Sequence, residues 1–341
     1  MTSSFFTQIG NDIYGEAAED FSGTVSISSD GSVVAIGSPL HKGPYEGEGV
    51  GDSKFGPNGH VRIFQNVNNS WIQVGSDIDG QWCSNAGSSV SLSSDGSVVA
   101  LTTAMNYVSI YKNVNNTWTQ IGSDINGEID ENIFNLSVSL SSDGSIVAIG
   151  SPAFRGNQYS SYQGNRPNGY VRIYKNVNNT WTQIGSVIDG EVTRDESGFS
   201  VSLSSDGSVV AIGAPYNDGN GNDSGHIRIY KNVNNIWTQI GSDIDGEANK
   251  NLMGTSVSLS SDGSVVAIGA PDEYIAGSDG VGHNGYVKIY QNINNTWTQV
   301  GSKIDGASGW DFFGGHVSLS ADGSTVAIGA DGNDGNGAQS G

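Results

Sequence analysis

A recurring Asp-Gly, a recurring Trp and a two-residue period in the apolar positions between them predict an all-β fold. The fold expected is a β-propeller of four-stranded antiparallel blades with six repeats visible. The Asp-Gly returns at Asp30, Asp95, Asp143, Asp206, Asp262 and Asp322, at spacings of 48 to 65 residues. The Trp returns at Trp71, Trp118, Trp181, Trp237 and Trp297. Repeats of about this length belong to solenoids or propellers, and the content of each unit decides between them.

The unit from Gly198 to Gly246 carries each element in turn. Val201-Ser202-Leu203-Ser204 alternates with period two, and Val209-Val210-Ala211-Ile212-Gly213 is a β-branched run ended by Ala214-Pro215, so both read as strands. The Ser-Ser-Asp-Gly-Ser between them predicts a hairpin with a type I′ turn, whose two central residues take positive φ. Ile227-Arg228-Ile229-Tyr230 and Trp237-Thr238-Gln239-Ile240 make a second pair. They are joined through Asn232-Val233-Asn234-Asn235, where Asn tolerates left-handed backbone. The first two strands carry Ser, Ala and Gly, and the last two carry Tyr, Trp, Arg and Gln. Small residues suit a crowded axis and bulky ones a widening periphery, which is the taper of a blade.

One domain is expected over residues 1–341, because repeated units share a core. The units run around 21–80, 86–127, 134–190, 197–246, 253–306 and 313–341. Phe6-Thr7-Gln8-Ile9-Gly10 aligns with Trp237-Thr238-Gln239-Ile240-Gly241, so residues 5–16 are expected to supply the outer strand of a terminal blade. Gln339-Ser340-Gly341 falls where Asp223-Ser224-Gly225 falls, just before a third strand. The natural polypeptide is therefore expected to continue with a segment resembling His226-Ile227-Arg228-Ile229-Tyr230, and seven blades become possible in a longer parent chain.

Composition narrows the function. A formal charge of −21, from 14 basic and 35 acidic residues, argues against a nucleic-acid partner, whose phosphates need Lys and Arg. Fifty Gly and no apolar run of bilayer length fit a turn-rich β protein without membrane insertion. A lone Cys83 excludes a disulfide framework, and the Met-Thr-Ser-Ser-Phe-Phe start lacks the basic and apolar regions of a signal peptide.

At Phe313-Gly314, and at Gly213-Ala214-Pro215 and Gly269-Ala270-Pro271, the unit resembles the FG-GAP repeat of integrin α-subunit propellers. It is closer still to the related repeats of bacterial and algal surface proteins, with their Phe-Gly, Ser-Val-x-Leu-Ser and Gly-Ala-Pro elements. Phe21-Ser22, Phe134-Asn135 and Met253-Gly254 stand in for Phe-Gly, and Gly37-Ser38-Pro39 and Gly150-Ser151-Pro152 for Gly-Ala-Pro. The resemblance implies an extracellular or cell-surface propeller used for adhesion or ligand binding. Integrin-type units bind Ca²⁺ in a long Asp-rich loop between the first two strands. Here that loop is a tight Ser-Asp-Gly-Ser turn with too few oxygens for a six- to eight-coordinate ion.

Candidate site residues follow from connectivity. The first-to-second and third-to-fourth turns lie on one face and are nearly identical between units. The opposite face varies: Ser38 to Gly59 is long, Ser151 to Gly169 is long, and Thr103-Ala104-Met105-Asn106 is short. Recognition resides on such variable loops. The aromatics outside the repeat pattern, Trp82, Trp310, Tyr45, Tyr159, Tyr162, Tyr216 and Tyr274, suit sugar rings or protein hot spots there. The five repeat-positioned Trp residues are read as packing.

For a cation, with Ca²⁺ the only candidate cofactor, the oxygen-rich tracts contribute Asp218, Asn220, Asn222 and Asp223, and Asp331, Asn333 and Asp334. Asp77-Ile78-Asp79-Gly80, Asp124-Ile125-Asn126-Gly127-Glu128 and Asp243-Ile244-Asp245-Gly246-Glu247 also offer alternating oxygens, although such residues equally serve turns. His60 and His226 occupy a position held elsewhere by Tyr170 and Tyr286, and His41, His283 and His316 have no nucleophile or carboxylate at a motif spacing, so no catalytic residue is assigned. The expectation is a monomeric, non-enzymatic binding or adhesion module for a protein or glycan. A structural repeat array without a small ligand is the alternative, and a propeller hydrolase or lyase the remote one.

Overall fold

The structure is a computed structural model that describes residues 7–17, 20–42, 58–81, 84–103, 107–126, 136–152, 168–271, 284–309 and 311–333. No helix occurs among them, so none is long and apolar enough to cross a membrane. The fold is an all-β propeller built of repeated antiparallel sheets. Two compact units, 1–125 and 126–341, divide the chain. The first carries repeats 1 and 2, the second repeats 3 to 6.

Repeat 4 shows how one blade forms. Its strands are Ser200–Leu203, Val209–Ala214, His226–Val233 and Ile236–Gln239, hydrogen-bonded in sequence order. Every residue of the second strand is buried, because it has a strand on each side and neighbouring repeats packed against its faces. The fourth strand alternates exposed and half-buried residues.

The first turn differs from the expected type I′. Gly207 takes positive φ (68°), but Asp206 does not. The Asp206 carboxylate accepts from Ser204 Oγ (2.8 Å) and from the Ser208 N–H (2.8 Å), while Ser204 Oγ accepts from the Val209 N–H (2.9 Å). These side-chain bonds hold the Asp in right-handed backbone and leave only the Gly left-handed, a type I turn with a following bulge. The two-residue I′ geometry occurs instead at Asn234 (φ 54°) and Asn235 (φ 64°), between the paired residues Val233 and Ile236.

The Asp-Ile-Asp-Gly tract also departs from its reading as a turn. Ile244–Asp245 is a short fifth strand that pairs with the start of the third, Ile227 opposite Ile244 and His226 opposite Asp245. Ile244 is buried in the core cluster of Val209, Ala211, Ile227, Ile229 and Met253. The same strand recurs as Ile78–Asp79, Ile188–Asp189 and Ile304–Asp305.

Within each compact unit, adjoining repeats meet through their first strands. Leu203, Leu259 and Leu319 donate their N–H groups to Ser139, Ser202 and Ser258 Oγ of the preceding repeat, each at 3.0 Å. The earlier Ser of the motif points the same way, with Ser200 Oγ donating to the Gly254 carbonyl at 2.8 Å. The glycine of Gly-Ala-Pro explains itself here: a Cβ on Gly213 would drive into that same Gly254 carbonyl. Gly254 in turn has φ +97°, a conformation that side chains rarely adopt. At the outer end, Trp237 Nε1 donates to the Ile184 carbonyl (2.9 Å) and Trp297 Nε1 to that of Ile240 (2.8 Å), which places these tryptophans in packing between repeats.

Among the described residues of the N-terminal stretch, 7–17, no strand forms, but a tryptophan contact links it to repeat 1. Trp71 Nε1 donates to the Ile9 carbonyl (2.8 Å) as Trp118 Nε1 does to that of Val74 (2.8 Å), so Ile9 stands toward repeat 1 as Val74 stands toward repeat 2.

Candidate functional site

The pairing register gathers Ser200, Ala214, His226 and Asp245 at one end of repeat 4. This is the face of the second-to-third loops and of the connections between repeats. In repeat 4 both lie within the described residues. Asn220 Nδ2 donates to the Gly246 carbonyl (2.8 Å), the Lys250 N–H to the Asn222 carbonyl (2.8 Å), and the Met253 N–H to the Ser224 carbonyl (3.1 Å). The loop and the connection thereby close on one another, and Gly225 and Met253 form a parallel bridge. Gly59 with Ala86, and Gly169 with Ser197, repeat that bridge.

In the 217–223 tract, Asn217 Oδ1, Asp218 Oδ1 and Asp223 Oδ2 face protein donors, while Asp218, Asn220 and Asn222 are exposed. Asp218 Oδ1 accepts from the Asp223 N–H (2.8 Å), Asn222 Nδ2 donates to Asp223 Oδ2 (3.0 Å), and the Lys250 ammonium pairs with that same Asp223 oxygen. A lysine thus holds the position a cation would take at Asp223. In repeat 6, Asp331 lies 3.4 Å from His316 Nε2 with both exposed, and Asn333 Nδ2 donates to Asp311 (3.0 Å). In the hairpin turns the Asp carboxylates accept from their own flanking serines. Tyr216 is half-buried, its N–H donating to the Asp195 carbonyl (3.3 Å). Trp82, Trp310, Tyr45, Tyr159, Tyr162, Tyr274 and Asp334 lie outside the described residues.

Sequence spacing missed a set of side chains at the mouth of the third strand. A buried acceptor, Asp20, Asp195 or Asp311, caps the connection into a repeat: Asp20 Oδ2 accepts from the Ala17 N–H (2.8 Å) and Asp195 Oδ2 from that of Val192 (3.1 Å). Its partner is Asn217 in repeat 4 (2.9 Å), Asn333 in repeat 6 and His41 in repeat 1, where Nδ1 lies 3.2 Å from Asp20 Oδ1. Burial raises the Asp195 pKa, against the hydrogen bonds from Asn217 and Val192. The Asp20 pKa is lowered, burial being outweighed by the Ala17 N–H and the His41 ring.

Beside it stands the first residue of the third strand. His226 is buried, with Nδ1 3.9 Å from Asp243, and Arg228 Nη1 lies 3.4 Å from Glu191. Burial, then the adjacent guanidinium of Arg228, lowers the His226 pKa to about 4 in spite of Asp243. His60 repeats this arrangement with Asp77 at 4.0 Å, and burial likewise lowers its pKa. Repeat 5 places Tyr286 there, donating to Asn251 (3.0 Å), and Lys288 and Lys303 both pair with Glu247. The scaffold positions are shared; the chemistry on them changes from repeat to repeat.

The FG-GAP repeat matches this sequence over residues 181–230. The chain carries an FG-GAP repeat. The matched stretch runs from the fourth strand of one sheet through the third strand of the next, so the FG-GAP frame is offset from the sheet by one strand. No curated protein matches the sequence. Among solved structures, the fold is similar to Kuenenia stuttgartiensis hydrazine synthase, at 13% identity over 96% of this chain and 78% of that one, with a TM-score of 0.55. It is also similar to Sqt1 from Chaetomium thermophilum, at 13% identity over 92% of this chain and 67% of that one, with a TM-score of 0.53. Both likenesses concern the propeller fold alone.

Proposed function

We propose that the protein is a non-enzymatic binding or adhesion module of an extracellular or cell-surface kind, monomeric, which recognises a protein or glycan ligand. The face it uses is that of the second-to-third loops and the repeat connections. One observation carries the reading. The hairpin face repeats the same turn bonds from copy to copy, whereas at the other face equivalent, partly or fully exposed sites carry Asp77, Asp124, Val187, Asp243 and Lys303, beside His60, Tyr107, Tyr170, His226 and Tyr286, of which all but Tyr107 are buried. A rigid scaffold that holds one face constant and diversifies the other is built for recognition. The resemblance to surface-protein FG-GAP repeats supports the same setting.

Glycan-array and pull-down binding by the wild type, Trp82→Ala and Trp310→Ala tests it. Loss of a captured ligand in these variants, with turn substitutions at Asn234 and Asn235 leaving capture intact, is the expected outcome. Capture indifferent to every change on the variable face refutes the proposal and leaves a structural repeat array.

A further inference from the structure

We propose that repeat 1 holds a divalent transition-metal ion of the Zn²⁺ class between His41, His60 and Glu16, with Asp20 orienting the His41 ring. One ligand atom from each of Glu16, His41 and His60 lies within 4.8 Å of the other two, and the two imidazole centroids are 4.0 Å apart. Bonds of about 2 Å to nitrogen and oxygen bring tetrahedral ligands to slightly closer spacing, within reach of small side-chain rotations.

His60 supplies the independent observation. Its side chain is fully buried, and neither Nδ1 nor Nε2 has a hydrogen-bond partner among the described residues. A buried imidazole with both nitrogens idle is costly, and it is the state of a ligand awaiting its ion.

The sister repeats act as internal controls. Where His41 stands, repeats 4 and 6 have Asn217 and Asn333, which satisfy the capping aspartate by an ordinary amide hydrogen bond. In place of His60, repeat 5 has Tyr286, whose hydroxyl finds Asn251. The blade therefore closes without either histidine, and repeat 1 alone among the described repeats brings two imidazoles together. Repeat 4 assembles only one, His226, with Glu191 and Asp243.

The remaining groups fit the same role. Asp20, fixed by the Ala17 N–H, lies 3.2 Å from His41 Nδ1 without hydrogen-bond geometry, and a small turn of the ring would complete the carboxylate–histidine–metal arrangement that sets a ligand's tautomer and gives Nε2 to the ion. Arg62 approaches only one Glu16 oxygen, Nη1 to Oε1 at 3.4 Å, while its Nη2 is anchored on the Tyr14 carbonyl at 2.6 Å. Glu16 is partly exposed, which gives the ion a way in. Two imidazoles and one carboxylate select Zn²⁺, Ni²⁺ or Cu²⁺, whereas Ca²⁺ requires an oxygen cage.

The experiment uses the tag-free full chain, stripped with a chelator and titrated calorimetrically with Zn²⁺ and separately with Ca²⁺. Co²⁺ substitution reports ligand geometry through its visible absorption. One equivalent of Zn²⁺ should bind, with no Ca²⁺ competing for it. His41→Asn and His60→Tyr install the residues of sister repeats and should weaken Zn²⁺ at least about a hundredfold, and Asp20→Asn about tenfold. Glu16→Gln, at an exposed position, tests the carboxylate without loading the core. A wild type that binds no Zn²⁺, or affinity unchanged in His41→Asn and Glu16→Gln, overturns the proposal. So does a tightly bound equivalent that disappears with His226→Tyr instead. The outcome is independent of whether a macromolecular ligand is ever captured.

Discussion

Replacing Gly213 by Ala attacks the contact on which adjoining repeats are spaced. The backbone of Gly213 is not left-handed, so the added methyl brings no conformational strain, only collision. Its Cβ would overlap the Gly254 carbonyl and crowd Ser200 Oγ, whose 2.8 Å bond to that carbonyl ties repeat 4 to repeat 5. Backbone cannot rotate away, so the repeats must separate; overpacking of this kind costs about 1–3 kcal/mol. Loss of the serine bond adds about 1 kcal/mol, and the stiffer unfolded chain gives back about 0.4–1 kcal/mol. The net expectation is a destabilisation of about 1–4 kcal/mol in urea unfolding followed by tryptophan fluorescence. Gly301→Asn is the control: no atom lies within 4 Å of a Cβ there, and Asn accepts φ +71°, so the loss should stay below about 1 kcal/mol. A Gly213→Ala protein as stable as the wild type would refute the argument that these glycines set the spacing of the blades.

Two further outcomes follow from the same packing. Ile244→Ala should cost about 2–4 kcal/mol in the same assay because the side chain plugs the core, while Asp245→Ala should cost far less; equal effects would restore the turn reading of the tract. His226 titrates near 6.5 when unfolded but only near about 4 when folded, so its contribution is complete above the unfolded value and falls as the pH drops toward the folded one. From about pH 7 to about pH 5 this amounts to about 2 kcal/mol, and His226→Tyr should remove it; an unchanged pH slope in that variant would contradict the burial argument.

Strand order and blade content were legible because Val-x-Leu and Val-Val-Ala-Ile keep their periods in every copy. The Asp-Gly turn misled because that dipeptide serves both type I′ and type I with a bulge. What separates them is the flanking serines, whose hydroxyl and N–H both seize Asp206. Asp243-Ile244-Asp245 was too short for a period to register, and its pairing with His226 and Ile227 and the burial of Ile244 identify it as a strand. The His41, His60, Asp20 and Glu16 group was invisible to spacing within one segment. His60 enters the site through its pairing with Ser38, and Glu16 through the N-terminal stretch. Alignment of the copies did hold one signal: His41 sits where Asn217 and Asn333 sit. The rim aromatics, by contrast, were chosen for falling outside the repeat pattern, and of them only Tyr216 has a described environment.

Amide hydrogen exchange at the inner strands tests most directly the claim that each repeat is held by the serine of the one before it. The N–H groups of Leu203 and Leu259 should exchange slowly, and Ser202→Ala should release Leu259 while leaving Leu203 protected. Fast exchange of both in the wild type, or continued protection of Leu259 in Ser202→Ala, would contradict it.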